Sequence, residues 1–359
     1  VRAVLAGRDD SAALDLLSRA TVQQAMVHYF KGSYGAARRA GESAVELAER
    51  AGSDRALGNA LSIVEAIDVA EGRLDVPLDQ TAAMRALRIY ESLGDHYWQG
   101  ILHQRLGNRA YYAGDWSASL EHQERALELF ILVGDEVIAP VQMINIAELL
   151  IERGELTAAD AMLRRAHRPV MADADPRILA YFHTYRGRLD SRFGRTDAAL
   201  AQFAEARSFA EQCELGAEIA EIDARIVECQ VIAGRGPDTL DTLDALLAAL
   251  RPETATLRAQ LLRLRGCALA QAGAPELAAA VLDEAREAAV AAEQPHEEAA
   301  ALTAILDLGR VTAIDAAAHR ERRAALYASL GVAFPRLPVH PVATDVNLLA
   351  DYLDEPATA

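Results

Sequence analysis

Leu106-Gly107-Asn108-Arg109-Ala110-Tyr111-Tyr112-Ala113-Gly114-Asp115-Trp116, continuing to Leu120 and Glu124-Arg125-Ala126-Leu127, reads as helix, tight turn, helix. Gly114-Asp115 makes the turn, because glycine accepts the left-handed backbone that ends a helix. Gly107 and Ala126 are small residues where the two helices have to touch, and Trp116 and Leu120 begin the apolar stripe of the second helix.

The unit recurs. Turn glycines fall at Gly32, Gly72, Gly114, Gly154, Gly194, Gly234 and Gly273, with steps of 40, 42, 40, 40, 40 and 39 residues. Twelve residues after most of them sits Ala44, Ala126, Ala166, Ala206 or Ala285. Five residues after sits Ala37, Ser119, Ala159, Ala199 or Ala278, and seven before sits Ala25, Gly107, Ala147, Gly187 or Gly266. Three small positions held in phase over most of a chain specify one stacked supersecondary unit rather than a globular core. The repeat around Gly234 departs from the pattern with Val227, Thr239 and Leu246, and the one around Gly72 is stretched near Pro77.

The motif resembles a tetratricopeptide (TPR) unit, lengthened from the usual 34 residues to about 40. The second helix often closes on Gly-Asp, as at Gly94-Asp95 after Tyr90-Glu91-Ser92-Leu93 and Gly134-Asp135 after Phe130-Ile131-Leu132-Val133. This long variant resembles the C-terminal TPR region of MalT-type and AfsR-type bacterial signalling ATPase regulators. The opening, Val1 to Leu5 through Ala13-Leu14-Asp15-Leu16-Leu17, resembles the junction from their ATPase module into the array. The resemblance implies an all-α fold, a right-handed TPR-like superhelix (α-solenoid) of about seven to eight helix pairs. It also implies a bacterial, cytoplasmic sensor or regulatory arm of a transcriptional or signalling regulator. An upstream ATPase or DNA-binding region would be covalently joined to it. Starting on Val rather than Met reads either as a fragment of a longer chain or as an alternative start codon.

In chain order the expected repeats are residues 11–51, 53–93, 95–133, 135–168, 176–213, 216–250, 254–291 and 296–330. Ser11 is the expected first N-cap, Pro169 and Pro176 bracket an irregular link, and the last pair acts as an end cap. Residues 331–359 read as a proline-rich linker followed by an acidic tail.

Composition narrows the function. The 359 residues are 52% hydrophobic but 5% aromatic, which suits close helix packing, and the net charge is −17. An acidic chain argues against direct nucleic-acid binding, which needs a basic face for phosphates. Arg320, Arg322 and Arg323 read as a solvated helix face. No signal peptide and no run long enough to span a membrane is evident. The three separated cysteines, Cys213, Cys229 and Cys267, read as reduced thiols at helix contacts.

Catalytic signatures are lacking: no phosphate-loop motif, no His-Glu-x-x-His and no Gly-x-Ser-x-Gly. His96 and His103 lie seven apart, not the four that zinc on one helix prefers, so neither metal nor cofactor is expected. Glu124 and Glu128 beside arginines are ordinary helix support. The expectation is therefore a non-enzyme.

What remains is the face of each first helix. The repeat phase places Gln23, Met26 and Tyr29 there in the first repeat, and Asn59 and Ser62 in the second. The richest set follows: Gln104, Asn108, Tyr111, Tyr112, Asn145, Glu148, Tyr181, Tyr185, Arg188 and Arg192, with Arg225 and Arg263 later. Amides and arginines pair with peptide backbone and carboxylates, and tyrosines supply rigid contact area. The expected ligand is a protein, a peptide or a small effector; a sugar is one effector class the resemblance brings. A stand-alone scaffold is the alternative, and an enzyme with an unrecognised groove site is a third.

Overall fold

The computed structural model describes residues 10–332. Among them stand sixteen α-helices and no strand, in the order of an all-α repeat array. The helices are α1 Ser11–Phe30, α2 Tyr34–Ala51, α3 Asp54–Ala70, α4 Ala82–Ser92, α5 His96–Tyr112, α6 Trp116–Leu132, α7 Ile138–Glu152 and α8 Leu156–Asp173. They continue as α9 Pro176–Arg192, α10 Thr196–Gln212, α11 Gly216–Ile232, α12 Leu240–Ala248, α13 Arg258–Gln271, α14 Pro275–Ala291, α15 Pro295–Leu308 and α16 Ala313–Ser329. Odd-numbered helices are the first of each pair and even-numbered the second.

All seven predicted turn glycines adopt positive φ, between 68° and 79°. The Gly-Asp pairs divide the work of the turn. Gly94 and Gly114 end one helix in the left-handed conformation, and the next residue caps the following one. Asp95 accepts from Trp98 N at 3.3 Å and Asp115 from Ala118 N at 3.0 Å. Asp135 likewise accepts from Ile138 N at 2.7 Å.

The small residues seven before each turn do permit close approach, to a side chain sixteen residues on. A Cβ on Gly107 would stand 2.8 Å from Gln123, on Gly187 2.7 Å from the Phe203 ring, and on Gly266 2.6 Å from Leu282. Ala126, Ala166, Ala206 and Ala285 are buried at the same helix contacts.

Two local expectations are corrected, and two turns take a form of their own. Asp10, not Ser11, caps α1, accepting from Ala13 N at 3.0 Å, while the Ser11 hydroxyl donates to Ala51 O. Pro169 does not end its helix: α8 runs through it to Asp173 and stops on Ala174 at φ 54°. A proline near a C-terminus removes one hydrogen bond and leaves the rest of the final turn to form. The helix after Pro77 begins at Ala82, because Thr81 provides the cap to Met84 N. Around Gly236-Pro237 and Pro252 the chain makes 3₁₀ turns, which shortens α12 and delays α13.

Residues 1–330 are the expected helical-repeat solenoid. The chain divides into two compact units, Val1–Gln142 and Met143–Ala359, with the boundary inside α7. In the first, α1 packs on α2 and α5 on α6; Val22, Ala25, Ala37, Ala44, Ile63 and Ile67 form one core cluster. In the second, α9 packs on α10 around Ala180, Phe203 and Ala206, and α13 packs on α14 around Leu261, Leu264, Cys267 and Leu282. The expected linker and acidic tail from residue 333 on, and the opening residues 1–9, lie outside the described residues.

Candidate functional site

In the first unit, the predicted residues on α5 are largely engaged within their own repeat. Asn108 accepts from Gln123 Nε2 at 2.9 Å. Tyr111 stacks on Trp116, centroids 5.9 Å apart and planes 10° apart, and meets Tyr112 edge-on. Gln104 is half-buried, and Tyr112 is 63% exposed. Asn59 accepts from the Tyr90 hydroxyl at 2.8 Å. These contacts fasten one helix to the next and leave Tyr112 and Asn108 presented to solvent.

One ion pair in this unit is buried outright. Arg109 Nε meets Glu65 Oε1 at 2.5 Å, and Glu65 Oε2 accepts from Ala83 N at 3.0 Å. His103 and His122 face each other, Nδ1 to Nδ1 3.1 Å. Burial, then the neighbouring His122 and Arg125, pushes the His103 imidazole down to about 4. No group of three or more His, Cys, Asp or Glu among the described residues is placed to hold a metal ion.

The second unit gathers the remaining predicted residues into one network. The Tyr181 hydroxyl on α9 donates to Asn145 Oδ1 at 2.9 Å and Glu148 Oε2 at 3.0 Å, both on α7. Tyr181 and Tyr185 meet edge-on at 4.7 Å, and the Arg188 guanidinium lies over the Tyr185 ring at 5.2 Å. Arg188 pairs with Glu152, a full repeat earlier in sequence. Arg225 on α11 pairs with Glu228 at 3.0 Å and Glu221 at 3.6 Å. Glu228 lies 3.7 Å from Arg192 on one side and 3.7 Å from Arg263 on the other. Arg263 Nε then meets Glu297 at 2.8 Å on α15.

The network also closes on itself: His296 Nε2 on α15 stands 3.5 Å from Glu152 on α7. Within this unit, the first helices therefore curl until one meets another four repeats away in sequence.

This burial corrects the expectation of an exposed face. Tyr185, Arg188 and Arg192 are 4%, 4% and 6% exposed, because each arginine finds its carboxylate on a neighbouring first helix. Burial alone would raise the Glu152 carboxyl. Arg188, with His296, Arg225 and Arg192, outweighs it and holds Glu152 well below the usual carboxylate range. Glu148 goes the other way: burial raises it, against the pull of Arg188. Both tyrosine hydroxyls are pushed up by burial and then by Glu148.

Sequence reasoning missed Glu152, Glu228, Glu297 and His296. A signal existed. The four pairs Glu152–Arg188, Arg192–Glu228, Glu228–Arg263 and Arg263–Glu297 are separated by 36, 36, 35 and 34 residues, close to one repeat. Elsewhere Arg125 pairs with Glu128 on the surface as expected, whereas Arg322, expected on a solvated helix face, forks both oxygens of the buried Glu298 at 2.8 Å. Gly236 serves packing, since a Cβ there would stand 2.8 Å from Ala268 Cα.

No protein-family model matches the sequence, and no match to a curated protein was found. Solved structures do share its fold. A Rap protein crystallised in complex with competence and sporulation factor is similar at 13% identity and a TM-score of 0.68, with 94% of each chain covered. Aspartyl phosphate phosphatase F from Bacillus subtilis is similar at 13% identity and a TM-score of 0.50, covering 94% of this chain and 92% of that one. A tetratricopeptide repeat protein from Parabacteroides merdae is also similar, at 14% identity and a TM-score of 0.48, over 76% of this chain and 93% of that one. At such identities the two structures at TM-scores of 0.68 and 0.50 show a shared helical-repeat fold and nothing beyond it. No helix among the described residues is long and apolar enough to cross a membrane.

Proposed function

We propose that this chain is a non-catalytic TPR-type module that binds a protein or peptide segment on the face of its first helices. It serves as the sensor or regulatory arm of a larger bacterial transcriptional or signalling regulator. The observation that carries the reading is the concentration of charged, amide and aromatic groups along α7, α9, α11, α13 and α15. Burying ion pairs adds little net stability, because desolvation offsets the Coulomb gain. Hydrophobic side chains would hold these helices together at least as well. A buried chain of ion pairs between repeats suits a seam whose internal pairing shifts when a ligand segment arrives.

The complex of the similarly folded Rap protein with competence and sporulation factor supports a bound regulatory factor here too. A ligand acts by population shift only if it prefers one arrangement of the repeats over another. Replacing the Glu152–Arg188 and Glu152–His296 contacts supplies such a preference, since these join helices from different repeats.

The test is isolation of the tagged protein from its own cells under native and denaturing conditions. A covalent species much heavier than the 359-residue chain supports the regulatory-arm reading. A species at the chain's own mass removes that reading and leaves a stand-alone scaffold, whose partners come down with it only under native conditions.

A further inference from the structure

His103 on α5 and His122 on α6 bring Nδ1 to Nδ1 at 3.1 Å, with ring centroids 5.3 Å apart and planes inclined by 43°. Spacing along a single helix cannot reveal this pair, since its halves lie on two helices. The repeat supplies a comparison. Two repeats further on, 80 residues in each case (183 − 103 and 202 − 122), the same two places hold His183 on α9 and Gln202 on α10. There His183 Nδ1 donates to Gln202 Oε1 at 2.7 Å. Fastening a first helix to its second helix at this place therefore takes one imidazole and an amide. Between α5 and α6 the amide oxygen is exchanged for a second ring nitrogen, and the contact becomes a pair of facing nitrogen donors.

Two nitrogens each about 2.0–2.1 Å from one tetrahedral zinc stand about 3.3–3.4 Å apart. The observed 3.1 Å is within a few tenths of an ångström of that bite, and both side chains are half-buried, so they keep an approach from solvent. Imidazole binds metal through an unprotonated ring nitrogen. Burial, then His122 and Arg125, holds the His103 imidazole down at about 4, and burial lowers His122 against Glu121 and Asp115. Neither ring has to give up a charge at neutral pH. The Nδ1 proton shared between them moves to the Nε2 of its own ring as the metal takes both Nδ1 lone pairs. Glu121 and Asp115 favour a cation here; Arg125 opposes it, but is offset by Glu128 at 2.7 Å.

We propose that His103 and His122 form a two-histidine site, bridging α5 and α6, for a borderline divalent cation of the zinc class. Imidazole nitrogen suits such ions, whereas calcium and magnesium take oxygen ligands. No third His, Cys, Asp or Glu among the described residues completes the set, so the other two tetrahedral positions are open to water or to donors from a bound partner.

The test is calorimetric titration of the full chain with zinc chloride at neutral pH, beside NMR of the protein carrying ¹⁵N-labelled histidine. One equivalent of zinc should move the Nδ1 resonances of both His103 and His122. His122→Gln rebuilds the pairing that His183 and Gln202 already make, so it should keep the helical circular dichroism. It should weaken zinc binding at least about tenfold, because loss of a group that merely steadies a ligand already costs about 10–100-fold. His183→Gln should leave binding unchanged. Gln202→His should install a second site, raising the zinc stoichiometry by one per chain. The proposal is overturned if the parent chain binds no zinc, if His122→Gln binds it as tightly as the parent, or if zinc moves only other histidines. A Gln202→His chain that gains no site overturns it too, since the same pair of rings at the same place would then not chelate.

Discussion

Replacing Glu152 with Gln removes one negative charge and keeps the side chain's size. Arg188 then loses its carboxylate while remaining 4% exposed, and Arg192 and Arg225 lose the charge that offsets their own. Breaking a buried pair at one partner costs about 3–5 kcal/mol, because the other charge stays buried without compensation. At about 2–4 °C per kcal/mol for a unit of this size, the second unit should melt roughly 6–20 °C lower. Urea titration followed by circular dichroism reads the loss, and hydrogen exchange in α9 and α11 locates it. The double variant Glu152→Leu, Arg188→Met should recover much of the loss, since it buries apolar groups where two charges stood. The pH dependence carries a sign. The folded carboxyl lies far below its ordinary value, so its contribution is complete above the unfolded glutamate range and fades as pH falls through the folded value. Glu152→Gln should therefore flatten the acid limb of the stability curve. A loss under about 1 kcal/mol at neutral pH, or a double variant no better than the single, would refute the reasoning.

Gly187→Leu inserts a side chain where a Cβ alone would stand 2.7 Å from the buried Phe203 ring, so it should cost at least about 1–3 kcal/mol by thermal or urea unfolding. Cys229 and Cys267 are buried, and burial pushes the Cys267 thiol up to about 12 against the pull of Arg263; alkylation by iodoacetamide at pH 8 should reach Cys213 first and these two only on unfolding. His103 should titrate by NMR with a midpoint of about 4 rather than 6.5. Because the unfolded imidazole takes its proton first, that residue should cost stability as pH drops from 6.5 toward 4, and His103→Gln should remove part of that decline.

The repeat was legible because helix contact in this fold demands small residues at fixed places. Gly107, Gly187 and Gly266 sit against a side chain that leaves no room for a Cβ, so the phase is written in residue size. Turn glycines carry the same information through backbone conformation. Local rules misled where a tertiary or positional effect prevailed: Pro169 reads as a stop, yet its place near the end of α8 makes it tolerable. The candidate face was legible in kind but not in state. Tyr181, Arg188 and Arg192 were found by phase alone. Their burial depends on glutamates one repeat away, and a solvated-face glutamate looks the same in sequence as Glu152 or Glu228.

Site-specific photocrosslinking in the protein's own cells tests the central claim most directly. A benzoylphenylalanine at Tyr112 on α5 or Tyr181 on α9 probes the first-helix face; at Ile131 on α6 or Leu277 on α14 it probes exposed second-helix positions. The account predicts one discrete partner adduct from Tyr112 or Tyr181 and none from Ile131 or Leu277. Adducts from Ile131 or Leu277 alone would contradict it, placing recognition on the second helices instead.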